Sequence, residues 1–399
     1  MTRPSSHATD WTGVCLGLAL AVLAAFQMLK LAPALPLMID SYGYARVLAG
    51  GLMSVYAVAG LLLSAPLGRL MESRPGQVLS LGLAALVVGN LVVLAAAQVG
   101  WAALAGRGLE GTGYAVLGLA GPVIANRSAG SHHLSVIAGL TAAWVPIGQI
   151  VALAVAWPAL EAGLWRPIWW AALAVTVIVA GWLWRRRNVI LPLLGHKSHA
   201  MGTARLTRGE RGVLLLTAGV FGLWSGQYTG FMTWLPDNLV QQHGLDPDLA
   251  ALVNIVPVTG VLVMCLVTGF LLRSGASFTG LFVGATIVQV PVWLFAAGLE
   301  PGPALAAIAF YGLASGITPV CLFAVPARLL GGSRVSAGAF APIMTGRNLG
   351  ILVAPVVLGA VSGPKLGWDL VWPLFGGVTA LSAVGAAIVG IGLARARRP

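Results

Sequence analysis

Residues 10–38 read DWTGVCLGLALAVLAAFQMLKLAPALPLM, and between Asp10 and Asp40 the only charged side chain is Lys30. A secretory signal has an apolar core of only ~7–15 residues, so this run is too long to be one. It reads as a first membrane span, which needs ~20 mostly apolar residues. Working outward, the same reading finds further spans near 47–67, 77–97, 101–124, 134–156 and 164–184. After a polar stretch they resume near 213–236, 249–272, 278–298, 303–326, 337–361 and 370–393.

Composition agrees with twelve spans. Hydrophobic residues make up 58% of the 399, and charged residues only 9%, against ~25% in soluble domains. So few charges could not cover a water-facing surface. A soluble enzyme, a nucleic-acid-binding module and a disordered scaffold are excluded. Glycine, at 53 residues, is about twice its ~7% average, which suits close helix packing in lipid. Cys15, Cys265 and Cys321 sit in apolar runs without CxxC spacing, so neither a disulfide framework nor a metal site follows. No cofactor is expected. His132 and His133 read as solvated loop residues.

The net charge of +12 is a topology signal. On one side of the spans fall Arg3, Arg69, Arg74, Arg127, the Arg185–Arg187 run, Lys197, Arg205, Arg208, Arg211, Arg273, Arg328, Arg334, Arg395, Arg397 and Arg398. Arg46, Arg166 and Lys365 fall on the other. The bias places both termini and the central linker in the cytoplasm of a multi-pass protein of the cytoplasmic (inner) membrane. Nucleic acid is not an expected partner.

The halves resemble each other at an offset near 200. Gln27 answers Gln227, Leu35-Pro36 answers Leu235-Pro236, and Val58-x-Gly60 answers Val258-x-Gly260. Further on, Gly108, Pro122 and Thr141 answer Gly312, Pro326 and Thr345. A common register over several spans indicates an internal repeat. The chain therefore divides into a six-helix bundle over 1–188, a linker over 189–212 and a second bundle over 213–399. Paired six-span halves are the architecture of many secondary transporters, with the substrate site at mid-membrane between them.

Two motifs carry a family resemblance. Arg107-Gly-Leu-Glu110-Gly111-Thr-Gly113 resembles the fourth-helix motif of the major facilitator superfamily. Gly68-Arg-Leu70-Met-Glu72-Ser-Arg74-Pro-Gly76 is similar to its signature cytoplasmic loop, with Glu for Asp, an extra residue before Gly76, and Gln77 where a basic residue is usual. The resemblance covers essentially the whole chain and lies nearest the cyanate and nitroimidazole permease-like groups and organic-anion carriers. It implies an all-α membrane fold of two pseudo-symmetric six-helix bundles, alternating access, and a gating role for Gly68, Glu72 and Arg74. The Arg of the fourth-helix motif is thought to take part in proton transfer. Trp144-Val-Pro146-Ile-Gly148 lacks the Gly-Pro pair of the antiporter motif, which disfavours a drug–proton antiporter. Gly350-x-x-x-Ala354-Pro355-x-x-x-Gly359 reads as a packing stripe.

Four ionisable residues lie within spans: Lys30, Arg107, Glu110 and Arg347. A charge in hydrocarbon costs at least ~2.5–3.5 kcal/mol, so each needs a partner or a wet cavity. Arg107 and Glu110, three apart, share a helix face and can pair. Lys30 and Arg347 are left without an acid and are expected to bind an anionic substrate. An Arg fork matches a carboxylate, and Gln27, Gln227, Tyr228, Asn254, Asn348 and Trp144 complete the lining. Glu110, the lone mid-span acid, is the expected proton-coupling group, with Arg107 beside it. The expected activity is proton-coupled or exchange transport of a small carboxylate-like anion by a monomer. Its alternative is an exporter of drugs or metabolites by proton antiport. An intramembrane enzyme is disfavoured, because no His lies in any expected span to serve as a base.

Overall fold

The computed structural model describes residues 8–130, 133, 137, 140–141, 143–195, 206–296, 301–330, 337–362 and 367–396. Every regular element among the described residues is a helix. Helices α1 (Trp11–Leu29) and α2 (Leu31–Tyr42) form the first span. They are followed by α3 (Arg46–Ser73), α4 (Pro75–Ala96), α5 (Gly100–Arg127), α6 (Trp144–Glu161) and α7 (Arg166–Gly195). The second half begins with α8 (Arg208–His243), and α9 (Pro247–Val253) with α10 (Ile255–Arg273) forms the eighth span. Helices α11 (Phe278–Ala296), α12 (Pro301–Leu330), α13 (Ala337–Val361) and α14 (Trp368–Ala396) complete the set.

Nine of the described spans are long and apolar enough to cross a membrane on hydropathy alone. Helix α11 is shorter in its apolar part, while α5 and α8 are long but more polar, carrying Arg107 and Glu110 in one and Gln227 and Asp237 in the other. Large apolar side chains such as Leu62, Trp101, Phe270 and Ile391 stand exposed, as a lipid-facing surface requires.

The first and eighth spans break for the same reason. Pro33 and Pro257 have no N–H to give the carbonyl four residues back, so the ladder is interrupted around Lys30 and Asn254. The first and seventh spans also stop alike: Gly43 and Gly244, both at φ +63°, adopt the left-handed conformation that ends a helix. Several ends lie beyond the apolar runs. Helix α7 continues to Gly195, past the expected end at 184 and into the stretch read as linker. Arginine is a good helix former, and Arg186 is held by Asp10 at 3.1 Å. Helix α8 starts at Arg208 because Thr207 and Glu210 form a reciprocal capping box. Helix α6 begins at Trp144, whereas its span was expected from 134, and most of 131–142 lies outside the described residues.

The glycine stripe of α13 serves two neighbours. A Cβ on Gly350 would meet the backbone of Gly222 and Gly226 in α8, and one on Gly359 would meet the backbone of Arg46 in α3. Pro355 faces Gly50 of α3 and Gly60 faces Asn348, so the halves meet along α3 and α13. We expect Gly350→Leu to force α8 from α13 and cost about 1–3 kcal/mol or more, read as a lower melting temperature in detergent.

At the end remote from the linker the halves are tied by polar contacts. Arg46 donates to Asp237 Oδ2 at 2.5 Å and to Ser362 Oγ at 3.0 Å. Its guanidinium lies 4.6 Å from the Trp234 ring, whose N–H donates to the Pro355 carbonyl at 2.9 Å.

Candidate functional site

Two groups of polar residues in the spans stand out. The first is an ionic core inside the first half. Glu110 is fully buried and divides its oxygens between two cations: Oε2 accepts from Arg107 at 2.6 Å and Oε1 from Lys30 at 3.1 Å. Lys30 Nζ also donates to Gln27 Oε1 at 2.5 Å and Asn90 Oδ1 at 2.6 Å, with the Trp169 ring 4.8 Å away. Three acceptors around one nitrogen match the three protons of an ammonium.

The supporting amides are themselves fixed. Gln27 donates to the Ala172 carbonyl and Thr176 Oγ1 of α7, and Asn90 donates to the Leu86 carbonyl. Their oxygens are thereby turned toward Lys30. Arg107 donates to the carbonyls of Leu52, Gln27 and Met28 as well as to Glu110 and Tyr56 Oη. The close helix approach comes from Gly89 and Gly106, each of which faces the other's carbonyl oxygen.

Two expectations are corrected here. Lys30 is not without an acid, because one carboxylate serves both Arg107 and Lys30. Nor does it face the space between the halves: it is 0% exposed, and its partners lie on α1, α4, α5 and α7 of its own half. Gln27 goes with it. The pairing of Arg107 with Glu110 is as expected.

The second place lies between the halves. Arg347 of α13 is half-buried and has no carboxylate partner among the described residues. It donates to Tyr114 Oη of α5 at 3.0 Å, across the interface, and makes a long 3.5 Å contact to Asn348 Oδ1. Tyr114 packs on Trp144 of α6, with ring centroids 5.9 Å apart. Tyr228 of α8 donates to Gln149 of α6 at 3.0 Å, a second bond across the halves, and stacks on Trp224. Gln149 had not been read as a site residue, although a buried mid-span amide was its signal.

Gln227 Nε2 and both amide atoms of Asn254 are buried without a hydrogen-bond partner among the described residues. The two places are joined by aromatics: Tyr56 touches Arg107 and Glu110, and its ring lies 5.9 Å from that of Tyr114.

The region read as a gating loop is mostly helix, because α3 runs on through Ser73. Arg74, exposed with φ −140°, is the one non-helical joint before Pro75, and Glu72 is exposed. The surroundings of Gly68 lie outside the described residues. His133 is not simply solvated: its Nδ1 lies 2.9 Å from Thr9 Oγ1, and its ring packs 4.9 Å from Trp11. His132 lies outside the described residues.

The sequence over residues 16–355 matches the profile of the Major Facilitator Superfamily. The chain belongs to that superfamily. Among solved structures the fold resembles the crystal structure of a D-xylose-proton symporter, with a TM-score of 0.73 and 14% identity over 95% of this chain and 97% of that one. At that identity the likeness speaks for the fold. No curated protein matches the sequence. Superfamily membership makes this a multi-pass membrane transporter rather than an enzyme.

Proposed function

We propose that the protein is a secondary active carrier of a small organic anion, carboxylate-like, working by alternating access in the cytoplasmic membrane with both termini inside. The observation that carries the anion is Arg347. It is a cation between the halves, held by a phenol oxygen and an amide rather than by an acid. Its fork has N–H groups to spare for a carboxylate beside Tyr114 and Asn348, with Trp144, packed on Tyr114, as an apolar wall and the Tyr228–Gln149 bond as a second polar link between the halves. Gln227 and Asn254 offer further unpaired amides. Units 1–188 and 213–399 are the rocking bodies. Their contact at Arg46, Asp237 and Ser362 would serve as a gate at the end remote from the linker. The test is uptake into proteoliposomes: small carboxylates should accumulate, and neutral sugars of similar size should not. Accumulation of neutral or cationic compounds alone would overturn the anion assignment.

Proton coupling is placed in the ionic core of Arg107, Glu110 and Lys30. Two cations and one carboxylate leave one positive charge in a buried site. Protonating Glu110 would strand two cations, whereas taking a proton from Lys30 leaves the neutral Arg107–Glu110 pair intact. Lys30 is therefore the group that exchanges the proton, while Glu110 keeps its pairing with Arg107. Tyr56 and Tyr114 connect that event to Arg347. Lys30→Met should fold, since the remaining pair is neutral, and should transport without response to an imposed pH gradient. Retained pH-driven accumulation in that variant would move the proton route elsewhere.

A further inference from the structure

An unassigned groove lies on the flank of the first half, away from the interface between the halves. Leu79 and Leu83 of α4 and Leu183, Trp184 and Leu191 of α7 line a trough of about 340 Å³. It opens sideways, since Ser80 and Trp184 on its rim are exposed. Nearly all of it is hydrocarbon. At its mouth sits Arg187, half-buried, its guanidinium stacked 3.9 Å from the Trp184 ring.

The cations around Arg187 differ in what they hold. Arg186 is committed to Asp10, and Arg127 donates to the Leu193 carbonyl. Arg187 makes no hydrogen bond or ion pair with any described residue. Stacking occupies the face of a guanidinium and leaves the N–H groups at its edge free, the arrangement that takes a phosphate bidentately. The groove also sits at headgroup depth. Trp184 ends the apolar run of its span, the three arginines follow at once, and Gly76 on the opposite wall lies in the first turn of α4.

We propose that this groove binds an anionic phospholipid, with an acyl chain in the leucine-lined trough and the phosphate on Arg187. An apolar trough open to the side of a membrane protein is covered by lipid, and the unpaired cation at its mouth selects a lipid with net negative charge. Basic recesses between spans on the cytoplasmic side take such headgroups. The proposal is independent of the transported substrate.

The experiment compares the full chain with Arg187→Gln, Leu83→Trp and Arg185→Gln. Each is incubated with phosphatidylglycerol, with phosphatidylcholine, or with inorganic phosphate alone. Lipid adducts are counted by native mass spectrometry, and melting temperatures are followed in parallel. Phosphatidylglycerol should be retained over phosphatidylcholine. That preference should fall about fivefold in Arg187→Gln and survive in Arg185→Gln, whose side chain is exposed outside the groove. Leu83→Trp should lose both lipids by filling the trough. Equal retention of the two lipids overturns the proposal, as does stabilisation by inorganic phosphate alone. So does a preference that persists in Arg187→Gln, because diffuse surface charge would then account for it. If Arg187→Gln does not fold, Leu83→Trp decides alone: unchanged retention there excludes the groove.

Discussion

Glu110→Gln should be the most damaging single change in the molecule. Glu110 carries the only negative charge in contact with Lys30 and Arg107 among the described residues, and all three are almost wholly buried. Removing one partner of a buried ion pair leaves the other charge uncompensated and costs about 3–5 kcal/mol. Here two cations lose their partner at once. We expect a collapse in the yield of monodisperse protein and a large fall in melting temperature. The double variant Lys30→Met with Glu110→Gln should recover part of the loss. It leaves one cation, Arg107, still bonded to the carbonyls of Leu52, Gln27 and Met28. A Glu110→Gln protein as stable as the parent would mean that the carbonyls and amides around Arg107 and Lys30 hold both groups without the carboxylate.

Why that core was only half legible follows from its chemistry. The pairing of Arg107 with Glu110 can be read from a spacing of three on one helix. The role of Lys30 cannot, because Asn90 and Glu110 are 60 and 80 residues away in sequence. Assigning Glu110 to its near neighbour made the acid look used up, although a carboxylate has two oxygens and each can take a cation. Asn90 carries the matching signal: an amide in mid-span needs a hydrogen-bond partner on another helix, and Lys30 is that partner. The break at Lys30, by contrast, was written in Pro33.

The spans themselves were legible because hydropathy is a property of local sequence. Helix ends were less so. Arg186, in the extension of α7, pairs with Asp10 at the N-cap of α1, a contact that no window along the chain reveals. The two halves are chemically unequal. Gln289, near the place of Asn90, bonds only Ser315, Thr318 and its own helix among the described residues. Around it Phe231, Trp293 and Tyr311 pack edge to face, with Phe375 against them, where the first half has charges. One half thus carries a titratable core and the other an aromatic one. The proposed division of labour is accordingly asymmetric, with proton exchange assigned to the first half and cargo binding to Arg347 of the second.

For that reason Arg347→Gln should separate transport from folding, where Glu110→Gln cannot. The Arg347 side chain is half-buried and neutralises no acid among the described residues, so its loss strands no charge. Tyr114 loses a donor but keeps its packing on Tyr56 and Trp144. We expect a melting temperature close to that of the parent. A hydrogen bond to a charged group is worth about 1.5–3 kcal/mol, or roughly 10- to 100-fold in affinity. Carboxylate uptake should therefore weaken by at least that factor, appearing first in KM. Arg347→Lys should recover only part of it, since an ammonium keeps the charge but cannot form two parallel bonds. The two variants also separate attraction from geometry: equal loss in both points to the fork, and full rescue by lysine points to charge alone. Unchanged carboxylate uptake in a folded Arg347→Gln protein would falsify the assignment of this residue to the anion, and would leave the ionic core as the remaining intramembrane charge with a functional claim.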